Sequence, residues 1–271
     1  MKNVKNEQVW IVCENAKLYA ELHIPEQVSA SALLVCHGMD VQGFHYLKIY
    51  SQLAKTACER GYVSLVFDFR GVGKSTGKFD YGLGEQHDVK CALDYLASRL
   101  EVLPNRIFVV GHSLGGAVSL YALQGERRVK GLVLWSTPKN HDYNVKKFIK
   151  RTRGTLGLYA FLVLSRIDRF IGMSKLFKLE VYGIRLRPKD VRQKLMSLNE
   201  CEVASTLKDT PLLVVVGETD KIVGVDEARA IFDSANEPKD LLIIKDADHN
   251  YHGRESELIA RTIDWIEKME T

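Results

Sequence analysis

The sequence predicts an α/β protein: a mostly parallel sheet flanked by helices and interrupted once by a helical insertion. Three observations predict it. Short, wholly apolar runs alternate with segments of helical periodicity, as expected of strands buried on both faces and crossed over by helices. Two segments near the start alternate polar and apolar residues instead, the pattern of antiparallel strands at a sheet edge. One long stretch, residues 139–208, has helical patterning without a core strand, which is far more than an ordinary connection needs.

In chain order, the edge strands fall at 9–13 and 17–24, the second ending at Pro25. Buried strands follow at 32–36, 63–67, 107–110, 132–135, 212–216 and 241–244, and runs such as Leu212-Leu213-Val214-Val215-Val216 leave no face for water. Helices are predicted over 47–59, 85–99, 116–124, 225–234 and 255–269, each placing apolar residues three and four apart. Alternation of this kind argues right-handed crossovers. The chain then divides into core (1–138), a cap inserted over the strand ends (139–208) and core again (209–271); at 271 residues, one main domain with an insertion is expected.

Hydrophobic residues at 46% and charged residues at 27% argue against a disordered chain or a membrane protein. The longest apolar stretch, 156–164, is well short of the roughly 20 residues that span a bilayer. The first residues lack the apolar run and small-residue site of a secretory signal. A cytoplasmic, soluble protein is expected, with no transmembrane segment. Cys13, Cys36, Cys58, Cys91 and Cys201 are widely spaced and form no CxxC pair, so neither zinc nor dithiol chemistry is indicated and five reduced thiols are expected. The net charge of +4 is uneven: residues 139–208 hold sixteen Lys/Arg against six Asp/Glu, or +10, leaving −6 for the rest. Nucleic acid, an anionic membrane or an anionic substrate could meet such a surface. The simpler interpretation is a solvated helical face, and no nucleic-acid partner is expected.

The chemistry is concentrated at strand ends. Residues 107–110 lead directly into Gly111-His112-Ser113-Leu114-Gly115-Gly116 and then a helix. A serine on so tight a strand-to-helix turn takes a strained backbone, flanking glycines remove the Cβ atoms that would clash, and the hydroxyl stands over the helix N-terminus. Serine needs a base to accept its proton. His249, in the loop after the last strand, is the candidate, with His252 as competitor; His112 adjoins the serine but points away from it on such a turn. The acid that orients the imidazole is assigned to Asp220, just after the strand 212–216, with Glu218 and Asp248 as rivals. Loops at the C-terminal ends of parallel strands converge on one crevice. Backbone N–H groups of Met39, in His37-Gly38-Met39-Asp40, and of Leu114 would form an oxyanion hole. Gly71-Val72-Gly73-Lys74-Ser75 imitates the end of a phosphate-binding loop, but the opening glycine would fall at Asp68 and the dinucleotide pattern meets Thr76 where it needs glycine.

Taken together, His37-Gly38, Asp68-x-Arg70-Gly71-x-Gly73-x-Ser75, Gly111-x-Ser113-x-Gly115-Gly116, Gly217-x-x-Asp220 and Asp248-His249 resemble the α/β-hydrolase superfamily. The order Ser113, Asp220, His249 is also the order of that superfamily. The resemblance covers about residues 10–138 and 209–270. It implies a central sheet of about eight strands, catalysis through an acyl-enzyme and no cofactor. The chain is similar to small capped serine esterases such as cinnamoyl (feruloyl) esterases and monoacylglycerol lipases. It departs from the hormone-sensitive-lipase branch, which has a run of glycines where Gly38-Met39-Asp40 stands. Ser113 replaces the nucleophilic aspartate of dehalogenases.

The function expected is therefore hydrolysis of a carboxylic ester, the substrate a small molecule of anionic or lipid-like character. A thioesterase or acyltransferase would use the same triad, and a binding or scaffold protein could retain the fold. In the cap, Phe148, Leu156, Leu158, Tyr159, Phe161, Leu162, Phe170, Met173, Leu176 and Phe177 are either pocket lining or the cap's own core. Lys146, Lys147, Lys150, Arg151 and Arg153 are positioned to attract an anion.

Overall fold

Along the chain, β1 (Lys5–Cys13), β2 (Ala16–Ile24), β3 (Ala30–Cys36), α1 (Lys48–Glu59), β4 (Val63–Phe67), α2 (Gly84–Ala97), β5 (Val102–His112), α3 (Leu114–Ala122) and β6 (Val129–Trp135) form the first part of the core. An insertion follows, with α4 (His141–Ile171), β7 (Leu179–Val181), β8 (Ile184–Leu186), α5 (Pro188–Gln193) and α6 (Glu200–Ala204). The core resumes with β9 (Leu212–Gly217), α7 (Val225–Ser234), β10 (Lys239–Ile244) and α8 (Glu255–Glu270). This computed structural model describes residues 5–26, 29–171 and 179–270.

Eight strands form one sheet in the order β1-β2-β4-β3-β5-β6-β9-β10. Only β2 runs against its neighbours; the other pairings are parallel. The predicted fold class is therefore observed. Side chains alternate between two buried layers. Leu34, Leu65, Val109 and Leu134 meet the layer of α2, α3 and α7, whereas Leu33, Val35, Val110 and Val133 meet that of α1 and α8. β5 starts well before the apolar run at 107, because Val102 pairs with Ala30 across a bulge and the intervening polar residues hide the strand from a hydrophobic pattern.

Within the insertion, α4 kinks at Gly154, where the backbone leaves helical angles. Strands β7 and β8 form a small hairpin that helical patterning did not anticipate. Each has three residues, too few for alternation to register. Its turn, Tyr182-Gly183, has φ of 48° and 77°, the geometry of a two-residue hairpin loop. α4 is fastened to the core by Lys147, which donates to buried Glu227 on α7 (3.0 Å) and to the Ile222 carbonyl (3.1 Å).

One cysteine expectation is corrected: Cys13 and Cys91 form a disulfide with Cα atoms 5.8 Å apart, while Cys36, Cys58 and Cys201 are free. The two lie 78 residues apart, and only the packing of α2 against β1 brings them together, so spacing could not reveal the pair. Among the described residues no helix is long and apolar enough to cross a membrane.

The loop after β3 is held from two sides. Buried Asp68 accepts from the N–H of Phe44 (2.9 Å) and of Lys74 (2.8 Å), Gly73 N–H donates to the Val41 carbonyl (2.8 Å), and Val41 N–H donates to Tyr182 in the insertion hairpin (3.0 Å). The Gly-Lys-Ser segment thus spends its amides on the protein's own groups. Asp68→Ala would leave the buried Phe44 N–H and the part-buried Lys74 N–H without their acceptor. We expect it to lower the free energy of unfolding by about 2–4 kcal/mol in equilibrium urea denaturation; an unchanged midpoint would mean that the loop is secured elsewhere.

Candidate active site

Ser113 sits between the last residue of β5 and the first of α3, with φ 52° and ψ −117°. Such a conformation costs a non-glycine residue on the order of 1–3 kcal/mol and persists only when its surroundings enforce it. Ser113 N–H donates to the Trp135 carbonyl at the end of β6 (2.8 Å), and its own carbonyl accepts the first helical bond from Ala117 (3.1 Å). A side chain at position 115 would collide with the carbonyls of Cys36 and His37. Glycine there lets the N-terminus of α3 lie against the end of β3.

A similar close approach positions His249. A Cβ at Gly217, the last residue of β9, would lie 2.6 Å from the Asp248 carbonyl oxygen, so the loop after β10 can rest directly on the end of β9. His249 and Asp220 are thereby brought within reach of each other. His249 Nδ1 is 2.8 Å from Asp220 Oδ2, and His249 Nε2 is 3.2 Å from Ser113 Oγ. Burial alone would raise the Asp220 carboxyl. The His249 hydrogen bond and charge, with N–H donors from Val223 (2.9 Å) and Ile222 (2.8 Å), hold it below the usual carboxylate range. An ionised Asp220 fixes the proton on Nδ1 and leaves Nε2 to accept from the serine hydroxyl.

The rival residues are engaged elsewhere. His252 is exposed and paired with Asp248 (2.8 Å). Glu218 accepts from Asp246 N–H (3.0 Å). His112 faces away from the serine hydroxyl and forms part of a buried chain that no spacing signalled. Gly38 N–H donates to the Tyr50 hydroxyl (3.1 Å), the Tyr50 O–H donates to His112 Nδ1 (2.6 Å), and His112 Nε2–H donates to the His249 carbonyl (2.9 Å). One neutral tautomer satisfies all three bonds, so the chain links the loop of Met39 to the backbone of His249. Tyr251 adds a second tie, donating to the Val215 carbonyl (3.2 Å) and lying 2.9 Å from Ser136 Oγ.

Met39 and Leu114 line the same pocket as Ser113 and His249. Leu114 opens α3, so its N–H is among the free donors of a helix start. The remaining wall is largely apolar, with Val145, Phe148 and Ile149 from α4, Val181 and Leu186 from the hairpin, and Val191 and Leu195 beyond it. Of the aromatic and aliphatic residues of the insertion singled out from the sequence, Phe148 lines this pocket. Phe161 is fully buried, Leu158 and Leu162 pack against the core, and Leu156 and Tyr159 are exposed. Met173, Leu176, Phe177 and the side chain of Phe170 lie outside the described residues.

A sequence profile described as the alpha/beta hydrolase family matches residues 33–262. The chain belongs to that family. It is 24% identical over 271 residues to a monoglyceride lipase of Saccharomyces cerevisiae, covering 88% of this chain and 85% of that protein. It is also 26% identical over 193 residues to the uncharacterized protein YfhR of Escherichia coli O157:H7, covering 70% of this chain. Here the chain spans about half the length of its relative, 54%. Among solved structures, Est1E from Butyrivibrio proteoclasticus with ferulic acid bound superposes with a TM-score of 0.74 at 20% identity, covering 96% of this chain and 98% of that one. At that identity the likeness concerns the fold.

The buried chain carries a pH signature. Burial pushes His112 down to about 3, whereas an imidazole in the unfolded chain titrates near 6.5. Below about pH 6.5 the unfolded state therefore takes up a proton that the native state refuses, and stability is lost progressively as the pH falls toward 3. His112→Asn removes this linkage. The stability difference between wild type and variant, from urea unfolding, should shrink as the pH is lowered from about 7 to 4.5; a difference independent of pH would contradict the buried neutral imidazole.

Proposed function

We propose that the protein is a serine carboxylesterase working through an acyl-enzyme, with Ser113 as nucleophile, His249 as general base and acid, Asp220 as its orienting carboxylate, and the N–H groups of Met39 and Leu114 as oxyanion donors. The observation that carries this is the hydrogen-bonded series Asp220–His249–Ser113 opening onto an apolar pocket. His249 takes the hydroxyl proton as Ser113 Oγ attacks the ester carbonyl, and then delivers it to the departing alkoxide. Water, deprotonated by the same imidazole, attacks the acyl-enzyme, and the proton returns to Ser113 as the acid leaves. Residues 139–208 act as the cap, supplying most of the apolar wall. The kinship with a monoglyceride lipase and the fold shared with a ferulate-binding esterase favour an ester over other acyl substrates.

We further infer that the substrate is uncharged at the cap. Lys147 is paired with Glu227, Lys146 with Asp142 (2.6 Å), and Arg151 donates to the Lys221 carbonyl (3.1 Å). Lys147 and Arg151 thus tie α4 to the Asp220 loop and α7, while the Lys146 pair lies within α4 itself. Between low and high salt, kcat/KM for an anionic ester, the mono-p-nitrophenyl ester of succinic acid, should change by no more than about twofold relative to neutral p-nitrophenyl butyrate; a steep fall with salt for the anionic ester alone would restore an electrostatic role for the cap.

The triad itself is tested by fluorophosphonate labelling and by Ser113→Ala. Wild type should be labelled at Ser113, and the variant should lose about 10⁶-fold in kcat on p-nitrophenyl butyrate. Retention of wild-type turnover by purified Ser113→Ala would reject the assignment.

A further inference from the structure

A second imidazole–carboxylate pair faces the same pocket. His141 is the first residue of α4 and Glu200 the first of α6, and His141 Nδ1 lies 2.7 Å from Glu200 Oε1. Both side chains are buried, Glu200 completely. Backbone bonds on either side fix the pair: His141 N–H donates to the Leu198 carbonyl (3.1 Å) and Cys201 N–H to the Lys139 carbonyl (3.2 Å). His141 lines the cavity that contains Ser113 and His249, and among the described residues its Nε2 forms no hydrogen bond. Glu200 Oε2 is buried and, among the described residues, unpaired.

Stability does not account for this arrangement. An apolar pair of similar volume generally serves a helix contact as well or better than a buried ionisable pair, and a buried carboxylate oxygen without a partner adds cost. What the pair provides is an oriented ring nitrogen on an otherwise apolar wall, the device by which pockets select one polar feature of a ligand. We propose that His141, positioned by Glu200, recognises a hydroxyl group on the substrate away from the scissile carbonyl. This rests on the esterase reading above and specifies its substrate class. A hydroxyl is chosen because it both donates and accepts. If His141 is neutral with its proton on Nδ1, Nε2 accepts the hydroxyl hydrogen; if the ring is charged, or Glu200 carries the proton, Nε2–H donates to the hydroxyl oxygen. A carbonyl fits only the second case. A carboxylate would bring a further negative charge beside Glu200.

The other polar groups on this wall are less suited. Asn144 uses its side-chain amide to hold the Ile222 carbonyl (3.1 Å), and Tyr182 occupies the partly exposed turn of the insertion hairpin.

The test compares kcat/KM within matched pairs of esters that differ by one hydroxyl: methyl 4-hydroxycinnamate with methyl cinnamate, methyl 6-hydroxyhexanoate with methyl hexanoate, and 2-hydroxyethyl butyrate with propyl butyrate. Wild type should favour the hydroxylated member of at least one pair by about tenfold or more, as a hydrogen bond to a buried, charge-supported partner allows. In His141→Phe and in Glu200→Gln that ratio should fall to near one, whatever happens to the absolute rates. A role confined to stabilising the cap would lower both members together and leave the ratio intact, and that result would overturn the proposal. So would the absence of preference in all three pairs with wild type, which needs no variant to fold. Fluorophosphonate labelling of Ser113 run alongside separates the two readings: labelling with hydrolysis of the plain esters but no hydroxyl preference rejects only the His141 site, whereas no labelling and no hydrolysis rejects the esterase itself.

Discussion

The contact between His249 Nε2 and Ser113 Oγ is the interaction on which everything else in this molecule depends. Its members are 136 residues apart in sequence, and neither can move far, since the serine is locked in a left-handed conformation and the imidazole is clamped by Asp220. The contact exists because three strand ends converge. β5 presents Ser113, β9 Asp220 and β10 His249, and parallel strands necessarily open their loops on the same side. Two close approaches complete the arrangement, α3 onto the end of β3 at Gly115 and the His249 loop onto the end of β9 at Gly217. Each would fail with any side chain larger than hydrogen.

Around that contact lies a shell of neutral, fully used hydrogen-bonding groups. Tyr50 and His112 join the loop of Met39 to the carbonyl of His249, and Tyr251 joins the His249 loop to β9. Each links separate elements of the site, so a shift of the Met39 loop is felt at His249. Preorganisation of this sort is what an oxyanion site requires, because donors that must reorient during the reaction forfeit most of their benefit. The insertion contributes in two ways. It supplies the apolar wall, and its hairpin carbonyl at Tyr182 steadies Val41 beside the Met39 loop.

The fold was legible in the sequence wherever burial is two-sided or periodic. Runs such as Val63–Phe67 and the helix Val225–Ser234 are recovered to the residue, because apolar continuity and spacing of three and four reflect packing directly. What escaped had no such imprint. Residues 104–106 break the apolar run of β5 at the surface, the β7–β8 hairpin is too short to show a period, and the Cys13–Cys91 bond depends on a tertiary contact. At the site, Ser113, Asp220 and His249 stood out because each follows a strand in a motif whose glycines have a steric reason. Which of two histidines lies against the serine, and which of three carboxylates lies against that histidine, is a matter of distance that spacing does not carry. Tyr50, the orientation of His112 and the His141–Glu200 pair carry no local signature, since their partners lie 12 to 137 residues away.

The central claim is that Ser113 Oγ becomes covalently acylated during turnover. Mixing the wild-type protein with p-nitrophenyl butyrate, quenching in acid within milliseconds and mapping the peptides by mass spectrometry tests it directly. The account predicts one butyryl group on the peptide containing Ser113, formed at the rate of the p-nitrophenol burst and absent in His249→Ala over the same interval. Hydrolysis with no acylated peptide at any time, or acylation located on another residue, would contradict it.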